Sequence, residues 1–91
     1  DDANDISFTA YLSIDMVMND EQISDLIYQC RKEKTGVEMV HSHEDKTYVN
    51  IVVHNRKQIA QIIRDLRMHF GFPRITRLAQ PINISEASKA S

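Results

Sequence analysis

The pattern Asn-x-x-Gln-Ile occurs twice, as NDEQI from Asn19 and as NRKQI from Asn55. Asparagine is a favourable helix N-cap, and glutamine three residues later can return a hydrogen bond to the cap. Apolar residues recur at helical spacing after each copy, so we predict amphipathic helices over 19–35 and 55–70. The apolar stripes are Ile23, Leu26, Ile27 and Cys30 in the first helix, and Ile59, Ile62, Ile63, Leu66 and Phe70 in the second.

The segment before each predicted helix alternates apolar and polar residues, which is typical of half-buried strands. We predict strands over 5–18, 37–44, 47–54 and 74–80. In the first strand the apolar face carries Ile6, Phe8, Ala10, Leu12, Ile14 and Met16. The order is therefore βαββαβ, which predicts a ferredoxin-like α+β fold. In that fold a four-stranded antiparallel sheet carries both helices on one face.

The chain's two glycines, Gly36 and Gly71, follow the two predicted helices. Glycine adopts the left-handed backbone that often ends a helix, so we predict that both act as C-terminal caps. Pro73 lies two residues beyond the second glycine and would prevent the helix from continuing.

The sheet face opposite the helices is predicted to be uncovered. We place the central hairpin turn at Asp45–Lys46, which pairs Met39 with Val52 and Val40 with Ile51. The same register pairs His41 with Asn50, Ser42 with Val49, and His43 with Tyr48. A predicted contact surface results, which we call the open face: Tyr11, Met39, His41, His43, Tyr48, Asn50 and Val52. It is less polar than a solvated sheet face usually is.

The length of 91 residues indicates one domain. We assign it to 5–80, with a disordered lead at 1–4 and a loose tail at 81–91. No apolar run approaches the roughly 18 residues of a membrane span, so we predict no membrane insertion. Cys30 is the only cysteine and cannot form an internal disulfide, which favours a reducing compartment. We expect a domain of a larger cytoplasmic protein.

Charge is distributed unevenly along the chain. Residues 1–45 carry eleven acidic and three basic side chains, whereas residues 46–91 carry eight basic and two acidic ones. Two solvated helix faces of opposite sign explain this asymmetry. An electrostatically paired oligomer, or an anion site on the basic half, would explain it too.

The second half of the chain, YVNIVVHNRKQIAQIIRDLRMHFGFPRITRL, is similar to the end of ACT domains. Its residue pattern most resembles that of the C-terminal ACT domains of RelA/SpoT-type guanosine tetraphosphate synthetase/hydrolases of the stringent response, with RITRL as the final strand. The small subunits of acetohydroxyacid synthase have a similar texture. Over 5–80 the resemblance implies a non-catalytic regulatory domain of a larger protein. Such a domain would act by homodimerisation and by sensing a small molecule, with an amino acid as effector.

In ACT domains that bind amino acids, the ligand site follows the first strand. The matching positions are Val17, Met18, Asn19, Asp20, Gln22 and Ile23. Helix N-terminal N–H groups there would favour a carboxylate. This chain lacks the glycine and proline of the family pattern, and its two acidic residues oppose an anion. The departure favours a role in protein contact.

Two alternative functions remain open at this point. RNA-recognition motifs share the topology, and KTYVNIVV supplies Lys46 and Tyr48. However, Thr47 replaces the motif's glycine and Asn50 replaces its second aromatic residue. The net charge of −2 also does not favour nucleic acid. The other alternative is a cytoplasmic interaction domain of a membrane transporter, since the same module is used there.

Nothing in the sequence indicates catalysis, a cofactor or a metal site. His41 and His43 share a strand face, but two imidazoles are too few for a closed zinc site. His54 and His69 lie elsewhere in the predicted topology. No nucleophile has a plausible base nearby, and two glycines cannot build a phosphate-binding loop. We therefore predict a domain that is not an enzyme.

Overall fold

The computed structural model describes residues 6–83. It confirms the ferredoxin-like α+β fold. The elements are β1 (Phe8–Ile14), α1 (Asp20–Lys32), β2 (Gly36–His43), β3 (Lys46–Val53), α2 (Arg56–His69) and β4 (Ile75–Leu78). The predicted lead at 1–4 and most of the predicted tail at 81–91 lie outside the described residues.

The four strands form one antiparallel sheet in the order β2-β3-β1-β4. Both apolar helix stripes pack on one face of this sheet, as predicted. Burial of apolar side chains between the two layers is the main force that holds them together. The buried apolar residues are Ala10, Leu12, Ile14, Met18, Leu26, Cys30, Val49, Ile51, Val53, Ile59, Ile62 and Leu66.

β1 is shorter than the predicted strand over 5–18. Phe8 was expected on the buried face, but it lies at the end of the strand and is 36% exposed. After Ile14 the chain leaves the sheet and buries Met18 against the core instead. The alternating pattern therefore overstates the strand, because the same apolar residues also suit a loop that packs under the helices.

The predicted register of the β2–β3 hairpin is wrong by two residues. The turn lies at Glu44–Asp45, so Met39 pairs with Asn50 and Val40 pairs with Val49. Likewise His41 pairs with Tyr48, Ser42 with Thr47, and His43 with Lys46. Because a shift of two preserves the alternation of side chains, the residues over Met39–His43 keep their predicted faces. A bulge between Val37 and Met39 adds one residue to the edge strand.

The helix caps are partly as predicted. Asn19 and Gln22 form the full reciprocal capping box of α1. At α2, Asn55 accepts from the Gln58 N–H, but the Gln58 side chain accepts from the backbone of His54 instead of the cap. The Gln58 side chain therefore accepts from the N–H one residue before the cap, and α2 lacks the second hydrogen bond of a capping box.

The prediction for Gly71 is correct, since its φ is +83°. The prediction for Gly36 is wrong, because Gly36 is the first residue of β2 and Lys34 holds the left-handed position, at φ +60°. Lys34 and Thr35 donate to the carbonyls of Arg31 and Cys30, which closes α1 without the glycine. Those two hydrogen bonds set where the helix ends.

Candidate functional site

The open face is built from a row of neighbouring side chains that crosses all four strands. Met39 pairs with Asn50, Asn50 with Tyr11, and Tyr11 with Leu78. A second row runs from His41 through Tyr48 to Ser13 and Thr76. The structure places all seven predicted open-face residues opposite the helices, each partly buried by its neighbours. The result is a continuous surface of two tyrosines and two histidines with aliphatic and amide side chains.

Polar contacts border this surface at its two ends. Lys46 donates to Asp15 across 2.6 Å, and this hydrogen bond raises the pKa of Lys46. At the other end, the Thr9 hydroxyl donates to Glu38 across 3.2 Å, above the strand that separates them. A less polar centre within a polar border resembles the layout of protein contact surfaces.

β4 also contributes to the open face, although no residue of its predicted strand over 74–80 was placed there. Leu78 and Thr76 complete the two rows there, and only Leu78 is partly buried. The segment RITRL did indicate this position. Ile75 packs against the core, and residues three apart in a strand point to opposite faces, so Leu78 lies on the open face. The strand order was needed to place Leu78 beside Tyr11.

The predicted ligand loop is held to the end of the β2–β3 hairpin. Met18 donates its N–H to the Ser42 hydroxyl at 3.4 Å, and that hydroxyl donates to the Met18 carbonyl at 3.1 Å. The Thr47 hydroxyl donates to the Met16 carbonyl at 2.7 Å and lies 2.9 Å from the Ser42 hydroxyl. Met18 is buried, whereas Val17 is 56% exposed. The loop is therefore fixed by two hydroxyls that the ligand hypothesis did not include.

Most backbone donors in this loop already have partners inside the chain. Gln22 and Asn19 exchange the two capping-box hydrogen bonds, and the Ile23 N–H donates to the Asn19 carbonyl. Asp20 and Glu21 are exposed in the first turn of α1. A carboxylate ligand here would meet like charges and occupied N–H groups. An amino-acid site at these six residues stays a prediction.

The histidines lie in separate places. The rings of His41 and His43 stack at 6.2 Å between centroids on the open face, whereas His69 contacts Asp25 in the helix layer. Within residues 6–83, no group of three or more histidine, cysteine, aspartate or glutamate side chains could hold a metal ion. Burial raises the pKa of the Cys30 thiol to about 12, so this cysteine is not a nucleophile.

Two carboxylates of opposite helices lie close together. A hydrogen bond donated by the protonated Glu33 carboxyl to Asp65, with burial and the charge of Asp65, raises the pKa of Glu33. Glu33 also accepts from Gln61 at 3.0 Å, and its backbone carbonyl accepts from Gln58 at 3.0 Å. These contacts join the end of α1 to α2, so we interpret this cluster as structural.

The helices described here are too short and too polar to cross a membrane.

No protein-family model matches the chain, and no curated protein sequence matches it. Among solved structures, the chain is similar to formyltetrahydrofolate deformylase from Burkholderia mallei. That likeness has a TM-score of 0.46 and 14% identity, and it covers 80% of this chain and 27% of the deformylase chain. So distant a likeness carries no argument about what this chain does.

Proposed function

We propose that this chain is a non-catalytic, ACT-like regulatory domain that acts by pairing with a second copy of itself. The observation that carries the proposal is the edge strand β2. This strand of eight residues pairs with β3 on one side only, and it borders the open face along its full length. An edge of this length presents a row of N–H and C=O groups that a second strand can pair with.

The two sheet edges are unequal, which favours β2 as the contact. β4 has four residues, all of them paired to β1. The bulge at Val37–Met39 disturbs the start of β2, so pairing is best over Met39–His43. Two copies joined there by a two-fold axis would form one continuous eight-stranded sheet. With the axis at His41, His41 would lie beside its counterpart, and Met39 would lie beside His43 of the other copy.

Sedimentation equilibrium of the 91-residue chain tests the pairing, with His41→Lys as the disrupting variant. Lysine at position 41 would place like charges close together across the two-fold axis. Thr76→Lys is the matched control, because Thr76 lies in the same row of the open face on the opposite edge strand. We expect a dimer for the wild type and the control, and a monomer for His41→Lys. A wild-type monomer at every concentration would refute the proposal.

Amino-acid sensing is the finer part of the proposal, and it rests on the resemblance to ACT domains. Repeating the sedimentation with a panel of amino acids tests it. A dimer tightened by one amino acid, with the effect abolished by Val17→Asp in the exposed part of the loop, would support a site there. A dimer that ignores every amino acid would leave pairing as the function and remove the effector.

The proposed setting is a larger cytoplasmic protein, in which domain pairing changes the activity of a linked enzyme. The guanosine tetraphosphate synthetase/hydrolases are one example, which the residue pattern in the second half of the chain suggests. A membrane transporter with this module on its cytoplasmic side is the other. Activity of the full parent protein with and without His41→Lys would test the coupling.

RNA binding is the second candidate, and one observation favours it. Tyr11 and Tyr48 lie on adjacent strands of the open face, where rings can stack on bases. The face offers Lys46 as a cation, but its ammonium is bonded to Asp15. Filter binding of single-stranded RNA by wild type and Tyr48→Ala would decide, because stacking is worth about 1–3 kcal/mol per base.

A further inference from the structure

A groove runs along the flank of α2 in the helix layer, away from the open face. Its volume is about 400 Å³, and it continues into the loop that follows the helix. The groove is lined by Ala60, Ile63, Arg64, Arg67, Met68 and Phe72. We call these six residues the α2 groove. Its lining combines an apolar floor with two guanidinium groups.

The apolar side chains of the α2 groove are unusually exposed. Met68 is 62% exposed and Phe72 is 65% exposed. Phe72 also has a left-handed backbone, with φ +62°, directly after Gly71 at φ +83°. A bulky residue in that region is strained, and such strain persists only where surrounding contacts impose it. Here the Phe72 N–H donates to the Arg67 carbonyl, which fixes the backbone after α2, and the exposed Phe72 ring lines the groove.

The charge of the α2 groove is not balanced by the neighbouring acids. Among residues 6–83, neither Arg64 nor Arg67 forms an ion pair through its side chain. The carboxylates between the two helices are used elsewhere, because Asp65 contacts Glu33 and Asp25 contacts His69. Two free guanidinium groups beside exposed apolar side chains are complementary to a carboxylate-bearing apolar partner.

We propose that the α2 groove binds an acidic amphipathic helix of a partner protein. Ala60, Arg64 and Met68 follow one another at intervals of four residues, so the groove spans about two helical turns, roughly 12 Å. A partner helix with two apolar side chains one turn apart would cover Met68 and Phe72. The small side chain of Ala60 leaves room for one of them, and flanking carboxylates would pair with Arg64 and Arg67.

A nucleic acid fits these residues less well. Phosphate backbones are held by rows of cations, whereas this groove has two cations and an apolar floor. A second copy of this chain also fits less well. The strongly exposed apolar side chains near its acidic residues Asp20 and Glu21 are, among the described residues, Val17 before α1 and Tyr28 two turns along it, and these two are not one turn apart. An amphipathic helix supplies both kinds of contact at the required spacing.

The test uses a synthetic capped helix of about 15 residues, long enough to form in isolation. It carries leucines one turn apart with flanking glutamates, and a matched peptide has glutamine at every glutamate. Each is titrated into the isotopically labelled 91-residue chain at physiological ionic strength, and amide chemical shifts are followed. We expect saturable chemical-shift changes confined to 60–72. We also expect the glutamine peptide to bind at least about fivefold more weakly than the glutamate peptide.

Variants of the chain separate the charge from the apolar floor. We expect Arg67→Glu and Met68→Ser each to weaken binding of the glutamate peptide by about fivefold or more. Arg56→Glu is the matched control: it makes the same charge change on the same helix outside the groove, and should change binding less than about twofold. The folded amide spectrum of each variant confirms that the fold is intact.

Several outcomes would overturn this inference. They are the absence of saturable shifts, equal binding of both peptides, an equal loss in Arg56→Glu, and shifts centred on the open face. Stronger binding of decanoate than of the peptide would identify a small amphipathic acid as the occupant. Self-association through 60–72 without peptide would identify a second copy. His41→Lys leaves the α2 groove intact, so failure of the dimer proposal would not affect this result.

Discussion

His69 Nε2 lies 2.5 Å from an Oδ2 oxygen of Asp25, and this contact joins the last turn of α2 to α1. The hydrogen bond from His69 is the main cause that lowers the pKa of Asp25, with a smaller contribution from Gln29 and opposition from partial burial. Asp25 therefore ionises more readily in the folded state than in the unfolded state, and its ionisation stabilises the fold. Neither the capping boxes nor the apolar stripes indicated this pair.

We predict that Asp25→Asn destabilises the chain near neutral pH and that its effect disappears in acid. A lowered folded-state pKa gives stability that is fully present above the unfolded value of about 3.9, and that is lost as pH falls through the folded value. Urea unfolding of wild type and variant from about pH 6 to about pH 2 measures this. Asp45→Asn, an exposed carboxylate in the hairpin turn, is the control, and its difference from wild type should stay small throughout. A difference for Asp25→Asn that grows in acid would contradict the sign.

Thr35→Val should stabilise the chain. The Thr35 side chain is 1% exposed, and its hydroxyl has no hydrogen-bond partner among the described residues. An unsatisfied buried hydroxyl costs about 1–3 kcal/mol, and valine has nearly the same shape without it. We expect the free energy of unfolding to rise by about 1 kcal/mol in urea denaturation. A fall would mean that the hydroxyl has a partner, such as a bound water.

Thr47→Val should have the opposite effect, although the substitution is the same. The Thr47 hydroxyl is fully buried and donates to the Met16 carbonyl at 2.7 Å. Removing it leaves that carbonyl without its donor and loosens the loop that precedes α1. We expect a loss of about 1–3 kcal/mol in the same urea measurement. Thr35→Val serves as the matched control, and equal effects of the two variants would contradict the hydrogen-bond assignments.

Gly71→Ala and Gly36→Ala test the corrected helix ends. Gly71 has φ +83°, so alanine there is strained and should cost about 1 kcal/mol, although its Cβ would meet no atom. At Gly36 an added Cβ would lie 3.5 Å from Val52, an ordinary contact, and φ is not left-handed. We expect Gly36→Ala to change the unfolding free energy by less than about 0.5 kcal/mol. A larger loss at Gly36 than at Gly71 would restore the original capping prediction.

The sequence predicted which residues of β1, β2 and β3 lie on the open face, but it did not predict the contribution of β4 or which residues are neighbours. Alternation along β2 and β3 places Met39 and Tyr48 opposite the helices, whatever the hairpin register. The turn decides which residues are neighbours, and EDK offers no glycine that would specify it. Glu44 adopts φ +58° at the actual turn, where a sequence pattern would favour glycine or asparagine. Met39 therefore neighbours Asn50 and not Val52.

The candidate ligand loop shows the same division. Asn19 and Gln22 cap α1 as their spacing indicates, because the two hydrogen bonds are local. Ser42 and Thr47 hold the loop from 24 and 31 residues away, and no local pattern points to them. Long-range hydrogen bonds of this kind depend on the packing of the hairpin against the loop.

The amino-acid sequence by itself determined the two helices, the strand order along the chain and the sheet face of most side chains in β1, β2 and β3. These follow from periodicities of 3.6 and 2 residues and from local capping, which act over a few neighbouring positions. Tertiary structure decided the hairpin register, the left-handed residues Lys34 and Phe72, the His69–Asp25 contact and the α2 groove. Each of these depends on which surfaces meet when the helices pack on the sheet. The packing energy is shared among residues that are distant in the chain.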